Sequence, residues 1–357
     1  EATTGGPQMN IVTKQGGNTF AGGFFLSGTG DALQGSNIEG SGLTPTNSIK
    51  KLWEINPSFG GPIVRDKLWF FGTFRYLSSR QNVSSMWTNL NAGDPTKWTY
   101  LPADGKDGRP LDQAVTDGYW RQTNARVTWQ ATPRNKFSFW NSVQYSCIAC
   151  DGGGDGTGLG FGASVRSPEA YTTNENHPSM MTQASWQSPV NNKLLLEASA
   201  QLGAYFWWAS RQKNAYDTTL IPVLETAGPV PNINYRAENW SGHKGYTNIM
   251  QGSASYVTGS HSAKLGFRMH QNIAMYPVNF YNNTQLNYIF TGGQPTAVTV
   301  NGDANSAQEQ HQFMTAFYAQ DRWTLGRLSL QGGLRFEHLS DYFPEQHIGP
   351  NLFVPNA

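Results

Sequence analysis

Apolar and polar residues alternate with a period of two along most of this chain, and almost nowhere with the helical period. From Arg327 to His338, Leu328, Leu330, Gly332, Leu334 and Phe336 share one face, while Ser329, Gln331, Gly333, Arg335 and Glu337 share the other. Ser262 to His270 repeats the pattern, with Ala263, Leu265, Phe267 and Met269 set against Lys264, Gly266, Arg268 and His270. Thr123 to Gln130 and Leu194 to Phe206 alternate in the same way. Less regular strands are predicted over Asn18–Ser27, Leu52–Gly60, Lys67–Tyr76, Phe137–Tyr145, Thr182–Trp186, Gln251–Val257 and Phe313–Trp323. This makes about eleven strands, each with one face suited to an apolar medium and one suited to water.

A soluble sandwich would also alternate, so the connections discriminate. Tight turns fall at Gly61–Asp66, Pro133–Asn135, Pro189–Asn192, Thr258–Ser260 and Leu325–Gly326. Long polar connections lie between them at Thr29–Lys50, Ser79–Tyr119, Ser146–Pro178, Arg211–Gly242 and Val278–Gln308. Short and long connections alternate strictly, which places every tight turn at one end of the strands and every long loop at the other. Greek-key sandwiches do not order their connections so, whereas antiparallel outer-membrane barrels do. Several strands also reach the roughly 9–11 residues that a tilted membrane strand requires. The expected fold is all-β, an antiparallel transmembrane β-barrel with short periplasmic turns and long extracellular loops. Trp53, Trp69, Trp129, Trp186 and Trp323 are expected near the turn end, as an interfacial girdle.

Composition agrees with this reading. Charged residues make up 14% and aromatics 13% of the 357 positions, with 39 glycines and 12 tryptophans, whereas soluble domains carry charge at about a quarter of positions. The mean hydropathy of −0.50 is hydrophilic only because two unlike faces are averaged. No apolar run approaches the roughly 20 residues of a membrane helix. A net charge of +1 with no Lys/Arg cluster argues against nucleic acid as a partner.

Two segments carry a family resemblance. Met9-Asn10-Ile11-Val12-Thr13-Lys14-Gln15-Gly16-Gly17-Asn18-Thr19-Phe20-Ala21-Gly22 resembles the junction between plug and barrel in TonB-dependent outer-membrane receptors. Asn56-Pro57-Ser58-Phe59-Gly60-Gly61-Pro62-Ile63-Val64-Arg65-Asp66-Lys67-Leu68-Trp69-Phe70-Phe71-Gly72 resembles a turn and strand of the Oar-like branch of that superfamily. A more general hairpin of these receptors is similar to Phe317–Trp323 with Leu330 and Gly333–Glu337. Such receptors close about 22 strands around a plug. The resemblance therefore implies part of a larger polypeptide, with residues 1–17 ending the plug and residues 18–357 forming the N-terminal part of the barrel, about half of it, ending in a loop. It also implies transport of an unidentified substrate, energised by a TonB-type protein of the inner membrane. The alternatives are a non-transporting surface scaffold for adhesion or assembly, and a conduit for protein export. The expected surroundings are outer-membrane lipid and the rest of the barrel or other outer-membrane proteins.

Candidate chemistry is sparse. There is no His-Glu-x-x-His, no Gly-x-Ser-x-Gly elbow and no paired-carboxylate arrangement, so no catalytic residue is assigned and the chain is not expected to be an enzyme. Cys147 and Cys150 have redox or metal-ligand spacing. With no second ligand pair and no strand–helix context, a small disulfide at the cell exterior is expected, with free or metal-binding thiols as the alternative. Asp151 and Asp155, in a glycine-rich run, offer oxygen ligands to structural calcium but lack a full calcium-loop pattern, so the rival is a plain loop; no other cofactor is expected. Arg126, Glu197, Lys264, Arg268, Arg335 and Glu337 are expected to line the lumen as polar ladders. Tyr205, Trp207 and Trp208, with Phe280 and Tyr281, are expected to contact ligand from exposed aromatic loops.

Overall fold

The computed structural model describes residues 13–35, 40–41, 48–150, 165–211, 219–237, 242–277, 285–300, 307–345, 350 and 355. Its strands are, in chain order, β1 (Ala21–Gly30), β2 (Ile49–Val64), β3 (Leu68–Trp87), β4 (Gln113–Thr132), β5 (Asn135–Ile148), β6 (Val165–Arg166), β7 (Thr172–Pro189), β8 (Leu194–Arg211), β9 (Val223–Glu225), β10 (Ile233–Tyr235), β11 (Gly242–Val257), β12 (His261–Pro277), β13 (Leu286–Thr291), β14 (Gln294–Val300), β15 (Ala307–Leu325) and β16 (Leu328–Tyr342). Among the described residues no helix is long and apolar enough to cross a membrane, which leaves spanning by strands open.

Eleven of these strands form one sheet in the order β1-β2-β3-β4-β5-β7-β8-β11-β12-β15-β16. Every neighbour pair is antiparallel. Each expected strand is present, and most run farther toward the long loops than alternation alone marks; β3 and β4 reach 20 residues each. The tight turns satisfy their own backbone. Asn191 Oδ1 accepts from the amides of Lys193 and Leu194 at 2.8 and 2.9 Å, and Thr132 Oγ1 accepts from the Asn135 amide at 3.1 Å. Asp66 and Gly326 take the left-handed backbone that such turns need.

Register separates the two faces, because directly paired residues point the same way. Ala254, Leu265, Ala319 and Leu334 are paired across four strands, as are Ser253, Gly266, Tyr318 and Arg335 one residue along. The first row belongs to an apolar outer face on which Leu334 is 85% exposed and Leu265 60%. Large apolar side chains in the open are unfavourable in water, and the outer face of a barrel wall in lipid resolves that cost.

Two bands of aromatics bound this outer face. At the turn end lie Trp129 with its ring tilted against Phe137, Trp186 donating to Asn135 Oδ1 at 2.9 Å, and Trp323 stacked on His261. At the loop end, Trp53, Tyr76 and Tyr119 form a ladder with ring separations of 5.0 and 6.2 Å. Two tryptophans therefore depart from expectation. Trp53 belongs to the loop-end band, because it enters β2 close to the long connection. Trp69 is at the turn end but pairs with Thr128 on the inner face, and its Nε1 donates to Asn18 Oδ1 at 2.7 Å. Trp129 and Tyr119 are ten residues apart on β4, about 34 Å along a strand. At the usual barrel tilt this is roughly 26 Å along the membrane normal, the height of a lipid-facing band.

The described parts of three long connections contribute strands of their own. β14, β13, β9, β10 and β6 make a second, five-stranded sheet. It packs Val223, Ile233, Tyr235 and Phe290 against Val83, Met86 and Ala114, the described hydrophobic core of the molecule. A lipid-facing wall needs no such core, whereas loops standing in water do.

Candidate functional site

The inner face is built from the segment leading into β1 and from the inward rows of the wall. Asn18 fixes that segment to the first turn: it donates to Asp66 Oδ1 at 2.5 Å and accepts from the Asp66 amide at 2.9 Å and from Trp69. Gly16 is required there, since a Cβ would run into the Phe70 carbonyl oxygen. Farther in, Arg126 donates through Nη1 to both the carbonyl and the hydroxyl of Thr13 at 2.7 Å, and through Nε to Ser138 Oγ at 2.9 Å. Through Thr13 and Asn18 the described chain entering β1 is thus tied to the inner wall and to the first turn.

Glu197, Lys264, Arg268, Arg335 and Glu337 lie on the same face as Arg126, as the strand registers place them. Glu197 accepts weakly from Gln187 and Ser253, each at 3.5 Å, and lines a polar cavity of about 340 Å³ together with Lys264 and Tyr318. Arg335 Nε donates to Glu337 Oε2 at 2.9 Å. Arg75 and Glu54 form a further inner pair at 2.7 Å that sequence reading missed. Partly exposed pairs of this kind are worth about 0–1 kcal/mol, so the inner rows keep the wall wet more than they stabilise it.

Toward the loop end the wall turns aromatic. Tyr205 and Trp207 sit in β8 rather than in a loop and face inward, paired with Gly245 and His243; Phe206 and Trp208 face outward. The ring of His243 stacks on Tyr276 at 4.4 Å and meets Tyr205 edge-on at 5.4 Å. These three, with Trp140, Met180 and Met181, line a cavity of about 510 Å³ that also exposes Gln201, Thr247 and Asn272. An aromatic surface with a few amides and hydroxyls is the usual composition of a small-molecule or peptide site. His243 and Tyr276 lie just past the segments in which alternation is evident; continuing the period of two to the strand ends would have found them. Lys244, on the outer face, sits 5.9 Å over the Trp208 ring, so Trp208 is directed away from this cavity.

Cys147 and Cys150 are joined as a disulfide at the end of β5. Thr173 Oγ1 donates to the Ala149 carbonyl within the bridged loop at 2.8 Å. Phe280, Tyr281, Asp151 and Asp155 lie outside the described residues, so the calcium expectation stays with the sequence. Among the described residues no group of three or more His, Cys, Asp or Glu is arranged to hold a metal.

The sheet order, the alternating connections and the two aromatic bands define the wall of an outer-membrane β-barrel. Comparison with known proteins narrows the class. No protein-family model matches the chain. Over 76 residues, 20% of this chain, it is 40% identical to the TonB-dependent transporter Oar of Myxococcus xanthus, and that region is 7% of the transporter's length. Among solved structures it resembles the outer-membrane transporter YddB of Escherichia coli, with a TM-score of 0.54 at 10% identity over 82% of this chain and 34% of that one. It also resembles the siderophore receptor PirA of Acinetobacter baumannii, with a TM-score of 0.50 at 13% identity over 93% of this chain and 41% of that one. The chain is thus similar to part of these outer-membrane transporters and receptors, and it spans under half the length of either solved structure.

Proposed function

We propose that this chain is the N-terminal part of the barrel of a TonB-dependent outer-membrane transporter, with residues 1–17 leading out of a plug, and that the aromatic cavity around Tyr205, His243 and Tyr276 contacts the transported substrate. The observation that carries this reading is the inner wall itself. It is tied to the incoming segment through Arg126 and Thr13, carries polar rows, and near the loop end gathers Tyr205, His243 and Tyr276 around one cavity. Substrate arriving from outside meets aromatic faces first, where flat contact area is gained at small entropic cost, and the polar rows lie beneath. Energy comes, on this reading, from an inner-membrane TonB-type partner acting through the plug; the rest of the barrel completes the pore.

A second reading has one observation in its favour. The long loops share a sheet with its own apolar core, as a surface built for assembly or adhesion would require. The two readings separate in a strain lacking the gene, complemented with the intact polypeptide or its Tyr205→Ala/Tyr276→Ala variant. Solutes taken from a defined medium, and proteins released into it, are then profiled with and without a protonophore. Transport predicts a wild-type difference that disappears in the variant and on collapse of the proton-motive force. Profiles indistinguishable from the deletion strain would contradict transport and support the scaffold.

A further inference from the structure

We infer that the loop-end cavity takes a neutral, hydroxyl-rich ligand, a short uncharged oligosaccharide, with ring faces on the aromatics and hydroxyls on side-chain amides. The inference rests on the reading that this cavity contacts substrate, and adds the substrate's chemical class. None of the described residues that line it is Asp, Glu, Lys or Arg. Elsewhere on the inner face charge is present: the polar cavity nearer the turns holds Glu197 and Lys264, and the cavity beside the entering segment holds Lys14 and Arg126. Of the residues lining the loop-end cavity only His243 takes up a proton near neutral pH, and its ring is stacked on Tyr276 and met edge-on by Tyr205. An anionic ligand gains most from charge-assisted hydrogen bonds to Arg or Lys, and a cationic one is matched by carboxylates. This cavity presents neither set.

What it presents instead are groups that donate and accept at once. Gln122, Gln144, Gln201 and Asn272 bring amides, and Ser142 and Thr247 bring hydroxyls. Gln122 Nε2 donates to Ser142 Oγ at 3.1 Å and Thr247 Oγ1 donates to Asn272 Oδ1 at 3.0 Å, which leaves the Gln122 oxygen and the Asn272 amide hydrogens for a ligand. A sugar hydroxyl also donates and accepts, so it can satisfy an amide in either sense, whereas a hydrocarbon ligand would leave these groups desolvated and unpaired. A sugar ring further carries an apolar C–H face, and the slightly positive hydrogens of that face suit the negative face of an aromatic ring. Tyr205 and Tyr276 are each 41% exposed and so open to such contact. A peptide is the rival neutral ligand. Peptide backbones are recognised best at an open strand edge, and β7, β8, β11 and β12 are each paired on both sides here.

The test is equilibrium retention of labelled probes by the intact polypeptide purified in detergent. The probes are short neutral oligosaccharides of hexoses and pentoses, uronic-acid oligomers of matched length, and short neutral peptides. Wild type is expected to retain neutral oligosaccharides above the other sets. Tyr276→Ala should weaken that binding roughly tenfold through loss of an aromatic platform. Gln201→Leu, which keeps the volume and removes the amide, should weaken it by a similar factor; it also carries the test if Tyr276→Ala lacks the heat-modifiable mobility of a folded barrel. Binding indifferent to Gln201→Leu would mean stacking alone and would overturn the inference. Retention of peptides or uronic-acid oligomers in place of neutral sugars, or of no probe at all, would overturn it too and leave the transport reading standing. Neutral sugars retained by the purified polypeptide, with no energy-dependent uptake of them by the complemented strain, would support the ligand class and contradict transport.

Discussion

Single residues at the first turn and in the loop sheet do work that their neighbours cannot. Asn18 uses both side-chain atoms on two partners, so Asn18→Ala strands the Trp69 indole donor and frees the entering segment. The site is solvent-accessible, and a loss of about 1 kcal/mol is expected, seen as a lower urea midpoint for refolding into detergent with the strand content unchanged. Glu169 is the opposite case. It is buried in the loop region, where Oε1 accepts from Asn89 Nδ2 at 2.7 Å and from the Arg236 amide at 3.2 Å. Burial pushes its pKa above the ordinary carboxylate value, and these hydrogen bonds only partly oppose the rise. An acid whose folded pKa is raised contributes stability below its unfolded pKa and loses it as pH rises through the folded value. Hydrogen-exchange protection of Ile233–Tyr235, corrected for intrinsic rates, should therefore fall with rising pH in wild type. It should be flat in Glu169→Gln, which keeps the acceptor oxygen and removes the charge.

At the scale of elements, the wall strands were legible because each alternates over enough residues to fix its faces, and because their turns carry Gly, Pro, Asn or Asp at fixed offsets. The loop sheet was not. Its strands β6, β9 and β10 are two or three residues long. They pair across connections remote in sequence, as Ile233 does with Val165 and Tyr288 with Val223, so no local period announces them. The candidate site was half legible for a related reason. Tyr205 and Trp207 stand out as aromatics, but their inward direction follows only from continuing β8 to its end, and the same continuation in β11 and β12 brings in His243 and Tyr276. The faces make a direct mutational prediction. Leu334→Arg, on the outer face between the two bands, should cost about 2–4 kcal/mol of membrane stability. Gln331→Arg, on the inner face of the same strand, should cost little, as read by folded yield in lipid vesicles.

For the whole molecule, eleven strands follow one another without a crossover, with β1 and β16 at the two edges of the sheet. A sheet of this kind has its apolar surface outside and its polar surface inside, inverting the soluble pattern, and the scarcity of charge follows from the area given to lipid. The buried core lies in the loop sheet, beyond the loop-end aromatic band, and the disulfide lies at the junction between the two. The central claim, that this sheet is a membrane wall wet on one side, is tested most directly by a cysteine scan of Leu328 to Glu337 in the intact polypeptide reconstituted in vesicles. Each site carries a fluorophore, quenched in turn by a lipid-confined and a water-soluble agent. The account predicts strict alternation, with even-numbered positions from Leu328 to Phe336 quenched from lipid and odd-numbered positions from Ser329 to Glu337 quenched from water. Equal access of the water-soluble quencher to both sets would contradict it.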